Sequence, residues 1–331
     1  MIKKHLIFFV VFLSVIAILP DKESCGDVTY SAKHDYREEM RKFVEMISSH
    51  AKGIDSSFIV IPQNGQELLT LNGEADGEPV SEYISAIDGT GREDLFYGYK
   101  RDNVPTPKRE RNYMLSFTEL AEDQGIQVLA IDYCRKKSFV DKSYLNNFSR
   151  GYISFAANHR ELDNIPNNPA EPYNVNSLDI ESLADARNFL YIINPENFSD
   201  KDEFLNKLKQ TDYDLFVIDL FFNDAELTSS DIESLKMKSN GGKRLVICYM
   251  SIGEAEDYRY YWKKSWEKNP PKWLAKENPD WPGNYKVRFW NKDWQGVIYG
   301  NENSYLTKIL NAGFDGVYLD IIDAFEYFEN R

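Results

Sequence analysis

The chain has 331 residues and carries 53 acidic against 39 basic side chains, which gives a formal net charge of -14. We expect no nucleic-acid partner, because proteins that bind a phosphate backbone generally present a basic surface. We also expect neither a metal nor another cofactor, because the four histidines are scattered without the spacing of a zinc site. Three cysteines are too few for a disulfide scaffold.

Residues 1–20 are typical of a secretory signal peptide. Two lysines precede the apolar run from Leu6 to Leu19, which is short for a membrane span. Residues 21–34 follow as a linker, and Cys25 within it would hold the protein at a membrane only if it were lipidated. We therefore expect an exported monomer, periplasmic, extracellular or at the cell surface, in which residues 35–331 form one domain.

Short apolar runs rich in β-branched and aromatic residues alternate with amphipathic segments along this domain. In chain order, the predicted strands are Phe58–Pro62, Tyr83–Ile87, Val128–Ile131, Tyr152–Phe155, Phe189–Ile193, Leu215–Ile218, Leu245–Tyr249, Tyr285–Phe289 and Gly316–Leu319. The predicted helices are Tyr36–Ala51, Lys201–Gln210, Ser230–Met237 and Tyr305–Ala312. This alternation is typical of a parallel sheet covered by helices, and at this length it predicts an α/β fold, a single (β/α)8 TIM-like barrel.

Nine predicted strands are one more than such a barrel requires. We expect the Tyr83 run or the Tyr152 run to be the peripheral one. The stretch 159–186 is rich in proline and asparagine, and we interpret it as a long surface loop inside the domain.

Polar residues stand at the ends of several predicted strands. They are Gln63-Asn64, Asp132-Tyr133, Asp219, Glu254 and Asp320. Catalytic groups of (β/α)8 barrels lie at the carboxyl ends of the strands and in the loops that follow. The pattern therefore predicts an acidic site at this end of the barrel.

All six tryptophans lie between Trp262 and Trp294. Indole rings stack on the C–H faces of sugars, and cleavage of a glycosidic bond needs an acid together with a base or nucleophile. Trp281 and Trp290 flank Pro282-Gly283-Asn284, so we predict that they form a sugar platform with Asn284 donating hydrogen bonds. The alternative is that the tryptophans fill a core.

Three long motifs resemble glycoside hydrolase family 114, in its bacterial and archaeal branch. They are Tyr249–Trp262, Glu277–Tyr285 and Gly313–Asp323, and shorter matches at Pro62–Gly65, Ala130–Cys134 and Val217–Asp219 extend the resemblance over most of the domain. The resemblance implies a TIM-like barrel that cleaves α-1,4-linked galactosamine-containing polysaccharide, as an endo-acting polygalactosaminidase. A deacetylated substrate of this kind is cationic and would suit an acidic cleft.

The order of the motifs predicts a circular permutation. In the family, the strand that resembles Phe189–Asn194 comes first, and the strand that resembles Gly316–Asp320 is followed by a helix and a Gln-Asn-Gly strand. In this chain the corresponding helix, Tyr36–Ala51, and strand, ending at Gln63–Gly65, stand on the amino-terminal side. A closed barrel allows such a rearrangement, because neighbouring units touch.

The resemblance also guides the candidate catalytic residues. Asp320 is the expected nucleophile or base, Glu254 or Asp257 the expected proton donor, and Asp219 would hold a substrate group or tune its neighbours. The alternative for each is a buried carboxylate that accepts structural hydrogen bonds from the backbone or from Arg259. Such structural carboxylates are common in folded proteins.

Three further residues complete the predicted substrate site. Gln63 and Asn64 would contact sugar hydroxyls, although Asn64 with Gly65 could equally form a turn. Tyr318 stands where the fungal branch has a glutamate. That difference motivates a second hypothesis, a catalytically degenerate barrel that binds carbohydrate without cleaving it.

Overall fold

Parallel strands form the centre of the described part of the chain, residues 34–330 of a computed structural model. In chain order, the strands, both parallel and antiparallel, are β1 (Ile59–Pro62), β2 (Gly89–Glu93), β3 (Gln127–Tyr133), β4 (Ile153–Ala157), β5 (Phe189–Ile192), β6 (Leu215–Ile218), β7 (Phe221–Phe222), β8 (Ala225–Glu226), β9 (Leu245–Ser251), β10 (Glu254–Glu256), β11 (Leu274–Glu277), β12 (Asn284–Val287) and β13 (Gly316–Asp320). The predicted signal peptide and all but the last residue of the predicted linker lie outside the described residues.

Helices follow most of the parallel strands. They are α1 (Tyr36–Ile54), α2 (Ser81–Ala86), α3 (Lys108–Asp123), α4 (Lys137–Phe148), α5 (Lys201–Lys209), α6 (Ser229–Leu235), α7 (Lys292–Ile298), α8 (Tyr305–Ala312) and α9 (Ala324–Glu329). None of the helices between residues 34 and 330 has the length and apolar character that a membrane span needs.

Eight parallel strands are arranged in two sheets. Five pair in the order β1–β13–β9–β6–β5, and three pair in the order β2–β3–β4. Single parallel bridges, Gln63 with Gly91 and Ser154 with Asn188, join the edges of the two sheets at two seams. Every residue of β5, β6 and β9 is buried, as expected for strands with both faces covered. The fold is therefore α/β and TIM-barrel-like, with a parallel centre.

Helix α1 shows how local sequence determines these elements. Asp35 accepts a hydrogen bond from the backbone N–H of Glu38 at 2.9 Å and caps the helix, which then continues with acidic residues in its first turn. Met40, Phe43 and Val44 recur at helical spacing and are fully buried. The apolar face of α1 is therefore buried, as expected for the amphipathic helix that the sequence predicts.

The Tyr83 run is a helix rather than a strand. It forms α2, with Tyr83 as its buried residue, and the strand is the following segment, β2. Strand β2 reads Gly-Thr-Gly-Arg-Glu and lacks the apolar residues that normally identify a strand. Gly91 is required there, because a Cβ atom at this position would lie 1.8 Å from the hydroxyl of Tyr318.

The peripheral strand is the Tyr285 run, and the Tyr152 run supplies β4 of the parallel centre. The Tyr285 run forms β12, the middle strand of an antiparallel sheet with the order β10–β12–β11. Trp273 and Trp294 are both buried, and their ring centroids lie 4.9 Å apart. Part of the tryptophan cluster therefore fills a core, which was the alternative considered from the sequence.

Candidate active site

Two carboxylates, Glu93 and Asp320, end the parallel strands β2 and β13. Glu93 accepts hydrogen bonds from the amide of Asn64, at 3.0 Å, and from the hydroxyl of Tyr133. Asp320 accepts one from the hydroxyl of Tyr249 at 2.7 Å. Burial, and next the negative charge of Glu93, raise the pKa of Asp320 to about 7. Asp320 therefore lies within the electrostatic range of the Glu93 carboxylate.

Asn64 is held beside Glu93 by the turn that follows β1. Asn64 and Gly65 both adopt left-handed backbone conformations, with φ of 61° and 58°. The backbone N–H of Asn64 donates to the carbonyl of Gly91 at 2.8 Å, and its side-chain oxygen accepts from the N–H of Glu93 at 3.3 Å. Asn64 thus forms the turn and contacts Glu93 at the same time.

Glu93, but not Asp320, lines a cavity of about 330 Å³, which we call the acidic cavity. It is lined by Asn64, Gly65, Glu67, Arg92, Glu93, Asp94, Tyr99, Glu110, Tyr113, Met114, Asp323 and Glu326. Burial is the main cause that raises the pKa of Asp323 to about 6 and that of Glu326 to about 7. The volume is in the range of small-molecule sites, and carboxylates dominate its polar lining.

Asp219, a predicted catalytic residue, is engaged in a buried ion pair. Arg259 donates to both of its oxygens, at 2.8 and 2.7 Å, and also contacts Glu256 at 2.6 Å through Nε. All three side chains are buried. This arrangement matches the structural alternative for Asp219, because an acid that holds a guanidinium on both oxygens has little capacity left for substrate.

Glu254 is also buried and paired. It accepts from the amide of Asn278 at 2.9 Å and lies 2.6 Å from the ammonium of Lys286. The same lysine lowers the pKa of Asp323, against the larger effect of burial. Glu254 therefore does not line the acidic cavity, but its partner Lys286 also acts on Asp323, which does.

Asp257 lies in a different environment from Asp320. It is exposed, and its pKa is raised by partial burial and then by Glu277 and Glu267. It lines a second cavity, of about 220 Å³, which we call the aromatic cavity. Its other lining residues are Phe221, Asn223, Asp224, Tyr258, Arg259, Tyr260 and Trp262. Glu254 is thus paired with Lys286 and Asp257 lines the aromatic cavity, whereas the largest charge effect on the pKa of Asp320 comes from Glu93.

Two residues that we predicted to contact the substrate, Tyr318 and Gln63, are buried. Tyr318 is fully buried, and its ring lies 5.2 Å from that of Tyr191. Gln63 is 4% exposed and accepts a hydrogen bond from the hydroxyl of Tyr191 at 2.9 Å. In this structure both side chains fill the interior, where a polymer cannot reach them.

The residues of the predicted sugar platform, Trp281, Trp290 and Asn284, lie in different environments. Trp281 is 52% exposed, on the turn that precedes β12. Trp290 packs against Tyr36 and Phe328, with ring centroids 4.9 and 4.7 Å away. Asn284 lies 3.4 Å from the hydroxyl of Tyr258 and accepts from it. Trp281 and Asn284 therefore remain available near the aromatic cavity, whereas Trp290 serves packing.

The residue that sequence reasoning missed is Glu93. Its signal is a carboxylate at the end of a short segment between the predicted strands Tyr83–Ile87 and Val128–Ile131. That segment, Gly89–Glu93, did not look like a strand, so its last residue was not considered among the strand ends.

Comparison with known proteins gives a family and three relatives. Residues 186–331 match the model of glycoside-hydrolase family GH114. An uncharacterised protein of Methanocaldococcus jannaschii is 45% identical over 139 residues, which cover 42% of this chain and 37% of that protein. An uncharacterised Thermotoga maritima protein is 40% identical over 37% of this chain and 36% of its own length. An uncharacterised protein of Deinococcus radiodurans is 39% identical over 38% of this chain and 39% of its own length. The matched segment thus spans less than two fifths of each relative.

Proposed function

Because residues 186–331 of this chain belong to glycoside-hydrolase family GH114, we propose that the protein is a glycoside hydrolase whose catalytic pair is Glu93 and Asp320. The observation that carries this proposal is that both carboxyls end strands of the parallel centre, where the charge of Glu93 contributes to the raised pKa of Asp320. Glycosidic cleavage needs one carboxyl that holds a proton and one that is ionised.

The two carboxyls differ in the way that this chemistry requires. Asp320, with a pKa of about 7, is protonated in a large fraction of molecules near neutral pH and can give its proton to the glycosidic oxygen. Glu93 accepts two hydrogen bonds, from Asn64 and Tyr133, and we assign it the role of base or nucleophile. This assignment reverses the role that we expected for Asp320 from the sequence.

We propose as substrate an α-1,4-linked galactosamine-containing polysaccharide that is at least partly deacetylated, cleaved within the chain. The support is the resemblance together with the composition of the acidic cavity, where Glu67, Glu93, Glu110, Asp323 and Glu326 face one guanidinium, that of Arg92. A cavity of this charge attracts an ammonium group and raises its local concentration.

The test is digestion of a panel of polysaccharides, including galactosamine polymers of different acetylation, with products identified by mass spectrometry. We expect oligosaccharides from the wild-type protein and a loss of at least about 1,000-fold in rate for Glu93→Gln and for Asp320→Asn. Asp257→Asn is the matched control, and it should retain most of the chemical rate on a short substrate. Binding of polymer without product, unchanged by Glu93→Gln or Asp320→Asn, would instead establish the degenerate carbohydrate-binding barrel.

The role of each carboxyl can be separated by azide. If Glu93 is a nucleophile, Glu93→Ala supplied with azide should release the β-glycosyl azide, by direct displacement of the leaving group from the α-linked substrate. Asp320→Ala should still cleave substrates with a good leaving group, and with azide it should release the α-glycosyl azide from the glycosyl-enzyme. The opposite pattern would restore Asp320 as the nucleophile.

We also infer that the two parallel sheets close into one circularly permuted (β/α)8 barrel. Support comes from the bridges at both seams and from the start of the family match at Ala186, just before β5, which resembles the family's first strand. Helix α1 lies against α9, with Arg37 Nη2 3.2 Å from Glu329. Export remains a proposal based on residues 1–20, and amino-terminal sequencing of protein recovered from the producing cells' medium or envelope would test it.

A further inference from the structure

The aromatic cavity has features of a sugar-binding site. Tyr258, one of its lining residues, is 58% exposed, although it is a large aromatic side chain. Exposed aromatic rings beside carboxylates are suited to sugars, because the ring contacts the C–H face while the acids bind polar substituents.

Tyr258 is held rigidly. Its hydroxyl donates to Glu256 at 2.6 Å, and Glu256 is fixed in turn by Arg259 at 2.6 Å. The guanidinium of Arg259 lies 5.3 Å from the centre of the Tyr258 ring. A ring that is ordered before binding loses little conformational freedom when a ligand stacks on it.

The charge of the cavity favours a cation. Arg259 is neutralised by two buried partners, Asp219 and Glu256. Asp257 and Asp224, which also line the cavity, are both exposed and are free of any cationic partner that the described residues provide. An ammonium-bearing ligand would therefore find two available carboxylates beside the Tyr258 ring.

Electrostatic interactions relate this cavity to the proposed catalytic pair. Asp320 accepts a hydrogen bond from Tyr249, and the pKa of Tyr249 is raised by burial and then by the charges of Asp320 and Glu256. Glu256 in turn accepts a hydrogen bond from Tyr258. Tyr249 is thus bonded to the proposed catalytic carboxyl and responds to the charge of the residue that holds the Tyr258 ring.

We propose that the aromatic cavity is a second sugar subsite, which holds a positively charged aminohexose unit of the polymer with its C–H face on Tyr258 and its ammonium group toward Asp257 and Asp224. This inference rests on the proposed function. It assigns Asp257, which the sequence placed among the catalytic residues, to substrate binding.

The test compares two substrates that differ in length. A galactosamine polymer reaches both sites, whereas an aryl α-galactosaminide with a good leaving group occupies only the catalytic site. We expect Tyr258→Ala to lower kcat/KM for the polymer about tenfold, because a stacking contact is lost, and to leave the aryl glycoside unchanged. Tyr258→Phe, which keeps the ring, should retain more activity on the polymer than Tyr258→Ala. Phe148→Ala, an exposed aromatic residue that lines neither cavity, is the matched control.

A binding measurement decides the inference independently of turnover. In the Glu93→Gln background, we expect Tyr258→Ala to weaken calorimetric binding of the polymer about tenfold. Asp257→Asn with Asp224→Asn should reduce the preference for deacetylated over N-acetylated polymer.

The outcomes separate the two proposals. If the wild-type protein cleaves no substrate, the proposed function fails, and the binding result still decides the subsite. If Tyr258→Ala affects neither substrate, or both equally, and binds polymer as tightly as its parent, the second subsite is wrong.

Discussion

The hydroxyl of Tyr249 opposes the groups that raise the pKa of Asp320. Burial and the charge of Glu93 raise this pKa to about 7, while the hydrogen bond from Tyr249 favours the ionised carboxyl. We expect Tyr249→Phe to raise the pKa of Asp320 by about one pH unit. If Asp320 is the proton donor, it then stays protonated to higher pH, so the alkaline limb of kcat/KM moves upward.

A pH–rate profile of Tyr249→Phe measures this change. Tyr299→Phe is the control, because Tyr299 lines neither cavity and packs beside Phe43. An alkaline limb that stays in place or moves to lower pH in Tyr249→Phe would remove Asp320 from the role of proton donor.

At the scale of single residues, sequence identified one half of the candidate pair. Asp320 ends an apolar strand and was recognised for that reason, whereas Glu93 follows glycines and was not. Asp219 and Glu254 show the same strand-end pattern as Asp320. They differ from Asp320 because each is paired with a cation. Asp219 binds Arg259, 40 positions further along the chain, and Glu254 binds Lys286, 32 positions further along. Such pairing depends on tertiary structure, and a single sequence does not reveal it.

Strand β2 is the element at which sequence reasoning and structure differ most. Its two glycines leave room for side chains from other elements, because Tyr318 occupies the space beside Gly91 and Leu183 the space beside Gly89. The apolar groups that other strands carry themselves are therefore supplied here by residues 227 and 94 positions away from these glycines. The other seven parallel strands were each predicted from their own apolar residues, and all seven are strands in the structure.

This packing makes Gly91 sensitive to substitution. An alanine Cβ would lie 1.8 Å from the Tyr318 hydroxyl and 2.5 Å from its ring carbon, so a fully buried side chain would have to move. We expect Gly91→Ala to lower the free energy of unfolding by about 1–3 kcal/mol, as overpacking of a core does. Because Glu93 is two residues away on the same strand, activity should fall as well.

Chemical denaturation with activity measurements tests this prediction. Gly53→Ala is the matched control, since a Cβ atom there has no neighbour within 4 Å and Gly53 lies in helix α1. A Gly91→Ala protein as stable as wild type would show that the Tyr318 ring does not occupy this space in solution.

At the scale of the molecule, the proposed catalytic pair joins two distant parts of the chain. Asp320 lies within the segment that matches the family, and Glu93 lies outside it. The proposed site is therefore complete only when β1 and β2 pack beside β13, through the pairing of β1 with β13 and the bridge from Gln63 to Gly91. The order of elements along the chain matters less to this site than their order in space.

A rearranged chain tests that statement. Asp35 can be joined to Arg331 by a short glycine-serine linker, because the rings of Tyr36 and Phe328 lie 5.5 Å apart, and the chain can be reopened between Ala170 and Glu171. Both of these residues are exposed in the irregular stretch before β5. We expect this protein to have the circular dichroism spectrum of wild type and to retain the proposed glycosidase activity, because all sheet pairings are preserved.

Reopening within β2, between Gly91 and Arg92, is the control, and it should abolish folding because it interrupts the pairing of β2 with β3. A protein reopened at Ala170 that folds but has lost activity would mean that the native connections position the site. One that fails to fold would contradict the permuted closed barrel. Retained activity would instead show that the Glu93 and Asp320 pair depends on which strands are neighbours, and not on which strand comes first in the chain.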